Sequence, residues 1–262
     1  RKVANDAGLD CVIRRLGANS GFASANNDGF KLSSGDITLL LNPDTEVFPD
    51  TLDRLVSAFE EDGVGIAGCK LYYPGGKIIQ HAGGFVRDSG LTMHYGVGEE
   101  DMGQYEEPKD VMYVTGAALA ARRDVFERVG MFDPGYSPAY FEDVELCLNA
   151  RRLGYRVAYI PEARAIHHES TTIRKFSERY YYLYHRSRIR FLLKNFSFKF
   201  LMKRALPMEK RWLAMRAPEE HAMPIIKAYL ANLAMLPLTL ISRWRNNRLT
   251  GKRRIEDTVS TL

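Results

Sequence analysis

Apolar runs, and the places where they stop, outline the chain. "ITLLL" at 37–41 and "GVGIAGCKLYY" at 63–73 are continuous apolar runs, the pattern of strands buried on both faces. Between them Leu52, Leu55, Val56 and Phe59 step at helical spacing, with Asp50 in position to cap the start. Residues 11–16, "CVIRRL", predict a short strand. A Gly-, Asn- and Ser-rich segment follows, with a helix expected over 24–33. Strand and helix alternate, which implies an α/β sandwich with a largely parallel sheet. The glycine-rich stretch 74–112 reads as hairpins and loops. Beyond it the pattern predicts a strand ending at Thr115 and a helix from Arg123 to Val129. An acid-led amphipathic helix in "AYFEDVELCLNARRLGY" comes next, then a strand, a turn at Pro161 and a second strand through "RVAYIPEARAIHHES".

From about residue 174 the pattern changes. Phe176, Tyr180, Leu183, Tyr184 and Phe191 recur at spacings of three, four or seven, interleaved with Arg179, Arg186, Arg188, Arg190 and Lys194. That is the signature of a basic amphipathic helix. Residues 224–241 are mostly apolar but contain Lys227 and Pro237. They fall short of the roughly 20 apolar residues of a membrane span, so a helix lying in the membrane interface is expected. The division expected is a catalytic domain over 1–173 and a basic helical tail over 174–262.

Charge supports that division. Residues 1–173 carry 17 basic and 26 acidic side chains, and residues 174–262 carry 20 and 6, so a net charge of +5 conceals two regions of opposite sign. A basic tail seeks a polyanion; its interleaved apolar stripe suits an anionic membrane surface, and nucleic acid is not expected as a partner. With 262 residues, 45% of them hydrophobic, the chain can build a sizeable core, which excludes the disordered classes. Cys11, Cys69 and Cys147 form no paired motif, as suits a reducing compartment.

Three constellations carry candidate chemistry. Asn42-Pro43-Asp44 follows "LLL". It reads either as a type I turn or as a carboxylate at the end of a sheet strand, where a divalent cation can bridge phosphate oxygens. Glu142-Asp143 opens a helix after Tyr140 and Phe141. Acids there favour the helix dipole, and a carboxylate held against aromatic surface can also serve as a general base. His167-His168 ends a strand; adjacent positions face opposite ways, so one ring can meet a metal while the other packs, or both can be surface residues. Together with the Gly/Asn-rich loop, these features suggest a phosphate-bearing substrate.

The segments "NSGFASANNDG" (19–29), "LLLNPDTEVFPDTLDRL" (39–55), "VTGAALAARRDVFERVGMFDPGY" (114–136), "FEDVELCLNARRLGYRV" (141–157) and "AIHHES" (165–170) resemble family 2 glycosyltransferases. The resemblance is to rhamnosyltransferase-like members of bacterial surface polysaccharide synthesis. It implies a GT-A-type nucleotide-diphospho-sugar transferase sandwich followed by amphipathic C-terminal helices. It also implies an inverting transfer from a nucleotide-sugar donor, with rhamnose among the candidate sugars, to a saccharide or lipid-linked acceptor. The cofactor implied is Mg2+ or Mn2+, and the place of action the inner face of the bacterial plasma membrane.

By the same resemblance Asp143, with Glu142 beside it, is the catalytic acid pair and Asp143 the base. Asp44 with His167 or His168 holds the metal, and Asn42 stands where the family often has a first acid. Asn19, Gly21, Phe22, Asn26 and Asn27 form the donor loop; Thr115, Gly116 and Ala117 line the sugar site. Two departures qualify the match. The chain starts after the family's usual first strand-helix-strand unit, which leaves an inactive remnant acting as a binding module as the alternative. Asn149 also replaces an arginine expected to pair with Glu145 or Asp143.

Overall fold

The computed structural model describes residues 11–169, 176–216, 219–251 and 255–256. A central sheet is built from β1 (Ile37–Leu41), β2 (Thr45–Val47), β3 (Val64–Tyr72), β8 (Ala118–Arg122) and β9 (Arg156–His167), in the order β1-β8-β3-β9-β2. β4 (Ile79–His81) extends it beside β3, and β7 (Lys109–Asp110) pairs with β9. A separate hairpin joins β5 (Gly84–Val86) to β6 (Thr92–His94). The expected parallel pairing is found in the long β3/β9 ladder at the centre, whereas the remaining ladders run antiparallel.

All nine residues of β3 are buried, as its unbroken apolar run requires. Ala67, Cys69 and Leu71 face the layer holding Leu55 and Ala58, while Ile66 faces the layer holding Phe126, Val144 and Leu148. Helices therefore cover both faces: α2 (Thr51–Ser57) on one, and α1 (Gly21–Leu32), α3 (Arg123–Arg128) and α4 (Glu142–Arg152) on the other. Lys70 lies within this buried strand because Asp101 (2.9 Å) and Glu106 (2.5 Å) neutralise it.

Several local expectations are corrected. Residues 11–16 form no strand; Val12 and Ile13 lie exposed, with no ladder beside them among the described residues. Asp50 precedes α2 but makes no side-chain cap bond, since its backbone sits at φ 54°. The stretch before Thr115 is not a regular strand; the chain turns at Thr115-Gly116, and β8 follows the turn. Pro161 does not divide β9. Ile160 opposes Cys69 and Arg164 opposes Lys70, so the residues between bulge out of one continuous strand.

The tail is helical: α5 (Glu178–Asn195), α6 (Leu206–Arg216), α7 (Glu219–Ala234) and α8 (Leu236–Thr250). The expectation that the α5 cations face a lipid surface is overturned. Arg188, Arg190 and Lys194 are buried, because acids of neighbouring segments receive them. Arg188 forms a two-pronged pair with Glu209 (2.6 and 2.5 Å). Arg190 and Lys194 converge on Asp133 (2.7 and 2.6 Å), and Lys194 also reaches Glu145 of α4 (2.6 Å). No single helix among the described residues is long and apolar enough to cross a membrane; the apolar tail is bent by 68° between α7 and α8.

Candidate active site

A cavity of about 630 Å³ opens beside the sheet, walled by the start of α1, the Thr115–Ala117 turn, the loop leading into α4, the end of β9 and the first turns of α5. Arg179, Tyr180 and Tyr184 belong to this wall, so the site crosses the expected division at 173/174.

The acid pair is delivered by a strained backbone. Tyr140 (φ 80°) and Phe141 (φ 75°) occupy the left-handed region in succession, at a cost of about 1–3 kcal/mol each. Neighbouring rings hold them there: Phe141 packs on Tyr184 (5.4 Å) and Phe191 (5.3 Å), and Tyr140 meets Tyr180 edge-on at 5.6 Å. All three supporting rings come from α5.

Asp143 then sits at the start of α4. Its carboxylate accepts from the Gly116 N–H (2.9 Å) and the Val144 N–H (2.8 Å). Burial raises its pKa from the ordinary aspartate value, opposed by the bonds from Gly116, Val144 and the Thr115 hydroxyl. A Cβ at Gly116 would stand 2.8 Å from the tip of the Phe22 ring, so glycine lets that ring pack against the amide that meets the acid. Glu142 is buried, with Oε2 making no hydrogen bond among the described residues; burial and the Asp143 charge raise its pKa strongly. A neutral Glu142 beside an ionised Asp143 is the arrangement these environments favour.

Across the cavity "NPD" is both a turn and a site. The Asn42 carbonyl accepts from Thr45 N (3.1 Å), its N–H donates to Ala117 O (3.0 Å), and Asp44 O accepts from His168 N (2.9 Å). Asp44 Oδ1 is buried, accepts no hydrogen bond among the described residues and lies 3.4 Å from His167 Nε2. His167 and Asn42 line the cavity, while Asp44 stands against His167 rather than on the wall. The rings of the histidine pair part as strand alternation requires: His168 turns to exposed Glu46 (2.7 Å), and His167 faces Asp44.

Sequence reading missed Gln80. Its Oε1 bonds His167 Nδ1 (2.8 Å) and its Nε2 donates to His167 O (3.2 Å). That pairing places the ring proton on Nδ1 and leaves the Nε2 lone pair toward Asp44. No local motif marks Gln80, which comes from β4, 87 residues before its partner. A buried carboxylate oxygen beside an imidazole lone pair fits a divalent cation. Groups of three or more metal-ligating side chains are absent among the described residues, so substrate phosphate and water would complete the shell, the usual situation for Mg2+.

The donor-loop expectation divides. Asn19, Gly21 and Phe22 line the cavity. Gly21 (φ 79°) is required there, because a Cβ would stand 2.4 Å from Ser137 Oγ. Asn26 and Asn27 do not reach the cavity. Asn26 bonds back to Phe22 O (2.9 Å), and Asn27 is buried, its amide paired twice with the Phe132 backbone (2.9 and 3.0 Å). Asn149 has no arginine-like role either: it bonds Asn246 of α8 (3.0 Å), while Glu145 takes Tyr136, Lys194 and Asn195 as partners.

Comparisons with known proteins agree with this geometry. The chain is 38% identical over 160 residues to the O-antigen biosynthesis protein RfbC of Myxococcus xanthus, covering 58% of this chain and 12% of that one. It is 35% identical over 157 residues to the uncharacterized protein y4gI of Sinorhizobium fredii, covering 58% and 17%. The chain thus spans less than a fifth of either relative. Rhamnosyltransferase WbbL of Escherichia coli is 26% identical over 201 residues, covering 71% and 74%. Among solved structures, GalNAc-T7 with UDP, GalNAc and Mn2+ superimposes on all of this chain and 46% of its own (TM-score 0.67, 15% identity), which establishes the GT-A fold. The mannosyltransferase PcManGT of Pyrobaculum calidifontis, with GDP-Man and Mn2+, covers 98% and 68% (TM-score 0.50, 13% identity). The family model described as glycosyltransferase-like family 2 matches residues 3–190. It runs through the α5 turns that wall the cavity, and the chain belongs to that family.

Proposed function

We propose that the protein transfers a sugar from a nucleotide-diphosphate donor to a hydroxyl of a saccharide or lipid-linked acceptor, with inversion at the anomeric carbon. The observation carrying this reading is Asp143, a buried carboxylate of raised pKa held by two backbone amides, in one cavity with His167 and the Asn19–Phe22 loop. Asp143 takes the acceptor proton as the acceptor oxygen attacks the anomeric carbon, and the leaving diphosphate departs from the opposite face. Asn19, Gly21 and Phe22 position the donor; Asn42 and Thr115 face it across the cavity. Asp44 and His167 would hold a divalent cation, and when bound it neutralises charge developing on the diphosphate. The resemblance to a rhamnosyltransferase and an O-antigen biosynthesis protein supports rhamnose as donor sugar and a bacterial surface glycan as the product.

The test is transfer from a panel of nucleotide sugars with Mg2+ or Mn2+. Asp143→Asn is expected to lose about 10²–10⁴-fold in rate while retaining nucleotide binding. Wild-type rates in that variant overturn the assignment of the base. Nucleotide binding without turnover in the wild type marks the chain as a binding module instead.

A further inference from the structure

The C-terminal helices have two unlike faces. On α7, Ile226, Leu230 and Leu233 are exposed, and on α8 so are Leu238, Ile241 and Trp244. Their spacing of three and four places each trio on one side of its helix. The opposite sides are bonded to the catalytic body. Asn232 donates to Arg186 O (3.0 Å), Thr239 accepts from Arg190 (3.0 Å), and Asn246 bonds both Asn149 of α4 (3.2 Å) and Asn195 of α5 (2.9 Å). These apolar residues are thus a surface held in place by a polar seam, not a core left unfilled.

Charge identifies what that surface fits. No acidic residue occurs between 222 and 251. Arg243 turns inward to the carbonyls of Leu193 and Phe196, but Lys227, Arg245 and Arg248 are exposed, with Arg248 4.8 Å over the Trp244 ring. Cations beside an exposed tryptophan and aliphatic stripe match an anionic lipid interface. A two-fold contact between copies would instead set these cations against themselves. The helices have 16 and 15 residues and are bent by 68°, so neither spans a bilayer alone; the bent pair has the length and composition of a broken span, but the polar seam that ties one side of each helix to the catalytic body favours a flat seating.

We propose that the outer face of α7 and α8 seats on the interface of an anionic phospholipid bilayer. It does so as one body with α4, the helix that carries Asp143 in its first turn. The proposal deepens the reading of a lipid-linked acceptor, yet its readout needs no turnover, so the two can fail separately. The full chain is floated with phosphatidylcholine vesicles and with vesicles containing phosphatidylglycerol. Binding to the second and not the first is expected, weakening with salt. An Ile226→Ser/Leu230→Ser/Trp244→Ser variant, folded by its melting profile, should lose at least about tenfold in partition, and so should Arg245→Glu/Arg248→Glu. Equal flotation with both vesicle types overturns the proposal, as does undiminished binding by either variant. Light scattering that shows a dimer broken by the serine variant, with flotation unchanged, assigns the face to a second copy.

Discussion

At the scale of single residues, the site depends on which proton sits where. As the proposed base, Asp143 must be ionised to accept a proton, and burial raises its pKa while hydrogen bonds, among them that of the Thr115 hydroxyl, restrain the rise. Activity should therefore fall with acidification at a pH above that of an ordinary aspartate. Removing a bond made to the charged form raises the pKa further. Thr115→Val is accordingly expected to move the acid limb of kcat to higher pH, and an unmoved limb would place the restraint elsewhere. For Glu142 the raised pKa acts on stability, and in the opposite pH direction from activity: a raised folded pKa means the native state binds more protons. Its contribution is full below the unfolded pKa and is lost as pH rises through the folded one. Gln80 acts on the other wall. Gln80→Leu should weaken Mn2+ binding by about 10–100-fold, read by calorimetry, through loss of the bond that sets the His167 tautomer. Asp44, the histidine pair and Asp143 were legible from short motifs. The choice of His167 over His168 was not, because it rests on a partner 87 residues away, and neither was the diversion of Asn27 to the Phe132 backbone.

At the scale of elements, α5 is part of the candidate site rather than an appendage. Its rings clamp the strained Tyr140–Phe141 step. Its polar groups bind the loop before that step, with Arg186 reaching the carbonyls of Tyr136 and Ser137 and Ser187 reaching Ala139 O. Lys194 closes the assembly between Asp133 and Glu145, where two carboxylates share one buried cation. Burial alone would raise the Asp133 pKa, but Lys194 and Arg190 hold it far below the usual range. Lys194→Met should then cost about 3–5 kcal/mol in denaturant unfolding, since both acids lose the cation that offsets their burial. Restoration by a second change, Glu145→Gln, would show the penalty to lie in the unpaired charge; a near-neutral single variant would show the pair to be dispensable. The amphipathic period of α5 was readable from sequence. Its charged residues looked solvent- or lipid-facing only because their acidic partners lie 49 to 61 positions upstream or 21 downstream.

At the scale of the whole molecule, the chain carries its catalytic body and its apolar outer face as one folded unit. The seam between them is made of buried side-chain bonds rather than a linker: Asn149 with Asn246, Arg152 with Asn247 (2.9 Å), and Arg190 with Thr239. The cavity is walled by that body and the first turns of α5, and α5 in turn is bonded to α7 and α8. The sequence by itself determined the α/β layering, the family and the motifs of the site. Apolar period, turn chemistry and the order of a few polar residues are local properties that survive without a fold. Only the tertiary structure decided which histidine meets Asp44, that Gln80 orients it, and that Arg190 and Arg188 point inward to Asp133 and Glu209. Those outcomes depend on which distant carboxylates, amides and rings the packed chain brings within bonding distance, and no local pattern of residues encodes that distance.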